Sequence, residues 1–201
     1  MQVLVPGSNR PYLDGDSLDH SGPLVWSVPA VLSTAECAGL IERIEAQGPT
    51  DAPVSTASGM VMMPDVRNNK RVMFDDAALA AQVYERIAAS LPSPLHGARP
   101  CGANERFRCY RYEPGQRFAP HFDGCYRRDA NEVSELTLMV YLNDDFSGGS
   151  TAFHQFDQIA TPRTGMALLF QHRLLHEGCV VTRGVKYVLR SDVMYRAITP
   201  T

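Results

Sequence analysis

The sequence predicts an α+β chain that is mainly β, with N-terminal helices packed outside a β-sandwich or barrel. Three observations predict it. Two stretches with helical periodicity lie in the first hundred residues. From Asn104 onward apolar residues recur at every second position in short runs, and Gly, Pro, Asn or Asp separates most of those runs.

Residues 1–30 are rich in Gly, Pro, Asp and Ser and read as an irregular lead-in with one strand at "LVWSV". In "LSTAECAGLIERIEAQG", Ser33 and Glu36 have capping-box spacing, so a helix starts there. Cys37, Leu40, Ile41 and Ile44 share one face of it, and Gly48 stops it. A second helix runs from about Asp76 to Leu91, with Leu79, Val83 and Ile87 inward and Pro92 ending it. Between the helices, "RNNKRVMFDD" reads as a polar connection. Strands are expected near 105–112, 116–122, 135–143, 149–154, 166–170, 176–181 and 186–195. The expected organisation is one domain over 1–201, with a helical support region at 31–100 and a β core at 104–196.

Composition narrows the function classes. A chain of 201 residues, 44% hydrophobic and 20% charged, is ordinary for a soluble protein. A net charge of −3, without a basic stripe interleaved with aromatics, argues against nucleic acid as partner. No apolar run approaches the roughly 20 residues that span a bilayer, so no membrane partner is expected. The opening residues lack the basic start and apolar core of a secretory signal. Five cysteines (37, 101, 109, 125 and 179) make an odd, scattered set without a CxxC pair, which fits reduced thiols in the cytoplasm. Nothing in the sequence fixes the oligomeric state.

The chemistry concentrates at "RFAPHFDGCYRR". His121 and Asp123 stand two apart where a strand runs into a glycine turn, so their side chains leave one face together. Such a couple is either a buried ion pair or two thirds of a metal site. Three histidines follow, His154, His172 and His176. Two histidines and one carboxylate on one face of a metal make the facial triad of non-haem Fe(II) oxygenases, with open positions for co-substrate and O2. His176 supplies the third ligand in this reading; His154 and His172 read as ordinary loop or strand histidines.

The stretches "YRYEPGQRFAPHFD", "LTLMVYLNDDFSGGSTAF", "TPRTGMALLF" and "LLHEGCVVTRGVKYVLRSD" carry a resemblance. In order and spacing, over about 104–196, they resemble the Fe(II)/2-oxoglutarate-dependent oxygenase superfamily in its prolyl 4-hydroxylase-like branch. The resemblance implies a double-stranded β-helix (jelly-roll) core in which His121, Asp123 and His176 bind Fe(II). It implies 2-oxoglutarate and O2 as co-substrates, with ascorbate as an auxiliary reductant. Lys186, ten residues after the distal histidine, would hold the far carboxylate of 2-oxoglutarate, helped by Tyr112, Tyr141 and Thr151. Met139, on the face shared by Thr137 and Tyr141, would face the co-substrate. Arg190, four residues after Lys186, is the alternative carboxylate partner.

The implied reaction hydroxylates an unactivated C–H bond and releases succinate and CO2. A prolyl or other residue of a peptide or protein is the first substrate reading; a free amino acid or natural-product intermediate is the second. Retention of Asp123 argues against a halogenase. Arg67, Arg108, Arg127 and Arg128 are the candidate substrate contacts, and Cys125 is a candidate redox-sensitive thiol. Two rivals are a cupin-like metal protein without 2-oxoglutarate and a non-catalytic iron or 2-oxoglutarate sensor.

Overall fold

Leu138 and Val140 point to one side of their strand, and Thr137, Met139 and Tyr141 to the other. That alternation organises the molecule, because the first set packs on helices and the second faces a cavity. The structure is a computed structural model and describes residues 1–8, 17–56 and 59–198.

The main sheet is antiparallel. Its strands lie in the order Gln2–Val5, Val25–Val28, Ala167–Gln171, Glu132–Tyr141, Lys186–Ala197, Arg106–Tyr112, Lys70–Asp75 and Thr50–Asp51. Ala98–Ala103 pairs with the far end of Lys186–Ala197. A smaller sheet runs Gln158–Ala160, Thr151–Phe153, His176–Gly178 and Phe118–His121. The two sheets face each other as a jelly roll. Tyr141, Leu168, Phe170 and Val188 from one meet Phe153 and Ala160 from the other in a shared core.

The helices cover the opposite face of the main sheet. Thr34–Ala46 begins with the expected capping box: the Glu36 amide donates to Ser33 Oγ at 3.2 Å, and the Ser33 amide donates to Glu36 Oε2 at 2.7 Å. Ala77–Ile87 begins with Asp76 accepting from the Leu79 amide at 3.0 Å. Cys37, Leu40, Ile44, Ala80, Val83 and Ile87 pack on Val72, Phe107, Cys109, Leu138, Val140 and Leu189. This is the expected helical support, and it leaves the cavity side of the main sheet to face the smaller sheet.

Three expectations change. "RNNKRVMFDD" is not simply a connection, since Lys70–Asp75 is a strand hydrogen-bonded to Arg106–Tyr112. Val72 enters the helix-side core while Arg71 takes the other face. Charged side chains on a cavity wall look in sequence like a solvated loop, which hid the period of two. The 31–100 region therefore contributes strands as well as helices. The reading at 176–181 divides: His176–Gly178 joins the small sheet, whereas Val181–Arg183 pairs with Ser147–Gly148. The lead-in also holds Gln2–Val5, paired with the expected strand at Val25–Val28.

Candidate active site

His121 closes the strand Phe118–His121 and His176 opens the strand His176–Gly178, and the two stand opposite each other in antiparallel register. Asp123 lies just beyond the strand end, where its amide donates to the His172 carbonyl at 3.1 Å. His121 Nε2 is 3.8 Å from Asp123 Oδ1, and His176 Nε2 is 3.6 Å from Asp123 Oδ2. The three ligand atoms lie within 4.8 Å of one another. The couple that sequence left open as ion pair or partial metal site thus has its third member.

Both imidazoles are set for a metal. His121 Nδ1 meets the Ala119 carbonyl at 2.8 Å, and His176 Nδ1 meets the Leu174 carbonyl at 2.9 Å. A carbonyl only accepts, so Nδ1 carries the proton and each Nε2 turns its lone pair toward Asp123. Burial, with His176 nearby, pushes His121 down to about 4, and burial likewise lowers His176. Both rings are neutral at neutral pH, the form that ligates. Phe118 stacks on His121 at 3.5 Å between centroids, and Phe170 packs on His176 at 4.5 Å.

Asp123 is held from behind. Burial alone would raise its pKa, but Arg190, then the two histidines and a Thr137 hydrogen bond, bring it well below the usual carboxylate range. Thr137 Oγ1 donates to Asp123 Oδ2 at 2.7 Å and lies 2.9 Å from His172 Nδ1. His172 Nε2 sits 2.8 Å from Ser134 Oγ. His172 is therefore not in the ligand cluster but behind its carboxylate. Arg190 Nη2 is 3.2 Å from both Asp123 Oδ2 and Asp192 Oδ1.

The other end of the cavity is built around Lys186, which is 2% exposed. Its Nζ donates to the Gly149 carbonyl at 2.6 Å, and no described carboxylate lies within ion-pair distance. The rings of Tyr112 and Tyr141 lie 5.0 and 5.5 Å from the ammonium, and Tyr141 Oη meets Thr151 Oγ1 at 2.7 Å. Burial lowers the Lys186 pKa to about 8. The glycine pair before Thr151 has a steric reason. Gly149 has φ +65°, and a Cβ there would come within 3.1 Å of Lys186 Cδ and 2.9 Å of Phe146.

Strand register orders the wall between the two ends. Lys186 stands opposite Tyr112, Val188 opposite Tyr110 and Tyr141, and Arg190 opposite Arg108 and Met139. Tyr112, Met139, Thr151, Lys186 and Arg190 all line the cavity, as does the ligand cluster. Arg108 donates to Asp192 Oδ2 at 3.3 Å on the same wall. Arg67 packs against two cavity-lining rings, those of Tyr110 and Phe118.

The remaining candidates lie elsewhere. Arg128 is taken up by Glu105 and Glu132, so its charge is not available to the cavity. Arg127 lines a separate groove that reaches Asp123 past Phe122 and His172. Cys125 is exposed, and His154 points to Glu177 at 2.6 Å. Sequence reasoning passed over Tyr110, Phe118 and Gly178, and it did not see Thr137 and His172 as a support for Asp123. None of these residue types carries a signal of its own; the fold assembles them.

The donor set fits the groups that the fold family uses. Two neutral imidazoles and a carboxylate suit Fe(II), and a buried, uncompensated ammonium suits a dicarboxylate such as 2-oxoglutarate. Fold and site define a jelly-roll metalloprotein with a facial His–Asp–His cluster. Residues 107–191 match the family model described as the 2OG-Fe(II) oxygenase superfamily. A putative prolyl 4-hydroxylase of Acanthamoeba polyphaga mimivirus is 28% identical over 143 residues, covering 62% of this chain and 57% of the relative's length. The viral collagen prolyl hydroxylase of Paramecium bursaria Chlorella virus-1, solved as its 2OG complex, superposes with a TM-score of 0.61 at 24% identity. That match covers 88% of this chain and 98% of the viral one. A prolyl hydroxylase from Trichoplax adhaerens, solved with a hypoxia-inducible-factor peptide fragment, superposes with a TM-score of 0.61 at 15% identity, covering 85% and 83% of the two chains. Over residues 107–191 the chain thus resembles the 2OG-Fe(II) oxygenase superfamily, and the relatives it matches include proteins named as prolyl 4-hydroxylases.

Proposed function

We propose that the protein is a prolyl 4-hydroxylase-type dioxygenase acting on a prolyl or other residue of a peptide or protein. The observation that carries this reading is the pairing of two sites across one cavity. A three-ligand cluster stands at one end and a buried lysine without a carboxylate partner at the other. His121, Asp123 and His176 would hold Fe(II); Lys186, with Tyr112, Tyr141 and Thr151, would hold the distal carboxylate of 2-oxoglutarate. Bound together, these groups supply the oxidising power, with succinate and CO2 as co-products. The chain's own residues keep both histidines neutral, fix the Asp123 carboxylate and close the site from water on its sheet-lined sides.

Lys186 is the better carboxylate partner than Arg190, because Arg190 already spans Asp123 and Asp192. Lys186 also speaks against the cupin-like rival, which has no use for a buried ammonium at the cavity's end. Relatives named as prolyl hydroxylases, one of them solved with a peptide fragment, support a peptide substrate over a free amino acid. The five free cysteines fit a reducing, cytoplasmic setting.

The test is turnover. The protein is incubated with Fe(II), 2-oxoglutarate, ascorbate and a library of proline-containing peptides, with succinate and product mass followed together. The reading predicts one succinate per oxygen atom added to a peptide. Succinate without any mass gain across the library, or neither, counts against it.

A further inference from the structure

The sheet face that walls the cavity carries more positive charge than iron and 2-oxoglutarate can use: beyond Lys186 and Arg190, which line the cavity, further arginines stand on the same face beside it. Arg71 stands opposite Tyr110, and Arg108 opposite Arg190, on the face away from Val72, Cys109 and Leu189. Like charges directly opposite in a sheet repel. Arg67 joins them from the preceding segment. Its guanidinium lies between the Tyr110 and Phe118 rings, 4.4 and 4.5 Å from their centroids. Phe118 in turn stacks on His121, so Arg67 is one ring away from the metal end.

Arg67 is 5% exposed, yet its bonding is incomplete. Nε donates to Asn69 Oδ1 at 2.8 Å, while Nη2 is buried with no partner. Arg190 Nε is a second buried donor without an acceptor. Among the described residues no carboxylate pairs with Arg67 or Arg71, and Arg108 and Arg190 share Asp192. Burial lowers the Arg71 pKa, and the charges of Arg67 and Arg108 add to that against a partial offset from Tyr110. Four arginines and Lys186 thus face two carboxylates, Asp123 and Asp192. Fe(II) and dianionic 2-oxoglutarate cancel each other, so loading the site leaves the excess untouched. A buried guanidinium with an open donor is a site for a planar oxyanion.

We propose that Arg67, Arg71 and Arg108 form a carboxylate-binding subsite beside the cavity, next to Tyr110, Phe118 and Arg190 of its lining, so that the preferred substrate carries an acidic group close to the hydroxylated carbon. This rests on the proposed function for where substrate sits, but binding tests it separately from turnover. The carboxylate could come from a Glu side chain, a peptide C-terminus or a free amino acid, and three probe pairs separate these sources. One pair is blocked peptides with Glu or Gln flanking a proline; another is peptides ending in proline acid or proline amide; the third is free L-proline and prolinamide.

Each probe is titrated calorimetrically, under argon, into protein loaded with Fe(II) and 2-oxoglutarate. At least one acid should bind tenfold or more tightly than its neutral twin. That preference should fall to within twofold in Arg71→Gln and in the Arg67→Gln/Arg71→Gln double variant. Arg71→Gln, at a half-buried position, keeps the test valid should the double variant fail to fold, and unchanged 2-oxoglutarate affinity serves as the control for fold. The proposal is overturned if no acid outbinds its twin, or if the preference survives both variants. Acid-selective binding without hydroxylation of any probe would keep the subsite and reject the reaction.

Discussion

Lys186 and Gly149 are joined by a 2.6 Å hydrogen bond from ammonium to carbonyl, and among the described residues that carbonyl is the lysine ammonium's one hydrogen-bond acceptor. A buried cation satisfied by one neutral acceptor is unfavourable unless an anion completes it.

Replacing Lys186 with Met should therefore separate binding from stability. The affinity for 2-oxoglutarate should fall by about 30- to 1000-fold, as expected for about 2–4 kcal/mol lost from a buried charge pair. Fe(II) affinity should change little. The ligand-free protein should melt at the same or a higher temperature, because an uncompensated ammonium has been removed. Calorimetric titration with 2-oxoglutarate and a thermal melt check both; equal loss of iron and 2-oxoglutarate binding would point to a structural role instead.

The lowered Lys186 pKa gives a pH dependence with a definite sign. Only the protonated amine attracts a carboxylate, and burial brings its pKa down to about 8 in the free protein. The apparent Kd for 2-oxoglutarate should be flat well below pH 8 and rise up to about tenfold per pH unit above it. Titrations from pH 6.5 to pH 9.5, chosen as a range of about three units around that value, read this directly. Lys186→Met should abolish the rise.

Gly149→Ala should damage the same end of the site from the other side. The new Cβ would need a left-handed backbone and would crowd Lys186 Cδ at 3.1 Å. A stability loss of about 1–3 kcal/mol is expected from strain and overpacking. The 2-oxoglutarate affinity should drop with it, while His121, Asp123 and His176 keep their metal. Urea unfolding and metal titration of the variant distinguish this from general collapse.

Thr137→Val keeps the shape of the side chain and removes the donor to Asp123 Oδ2. Supports of this kind affect metal affinity by about 10- to 100-fold, and a loss of that order in Fe(II) affinity is predicted. The melting temperature of the metal-free protein should move much less. A comparable change from His172→Gln would show that the threonine and the histidine act as one unit.

How far the sequence carries depends on which residues chemistry constrains. His121, Asp123 and His176 were legible from residue type and spacing, because few side chains ligate a metal, whereas Lys186 and the glycine pair before Thr151 were legible only through the family resemblance. The two helices were legible from Ser33, Glu36 and Asp76, whose caps act locally. The Lys70–Asp75 strand was not, because Arg71 faces a charged cavity wall and erases the contrast between a buried and a solvated face. The Thr137–His172 contact spans 35 residues and depends on where two strands of the main sheet meet. Arg128 misled for the opposite reason, since a basic loop residue gave no hint that Glu105 and Glu132 would take it.

The most direct test of the central claim is an anaerobic titration of the protein with Fe(II) and then 2-oxoglutarate, following the visible charge-transfer absorption of the chelate. The intact protein should give a band that saturates at one equivalent per chain, and Asp123→Ala should give none. Iron binding without any band in the intact protein, or a band undiminished by loss of Asp123, would contradict that claim.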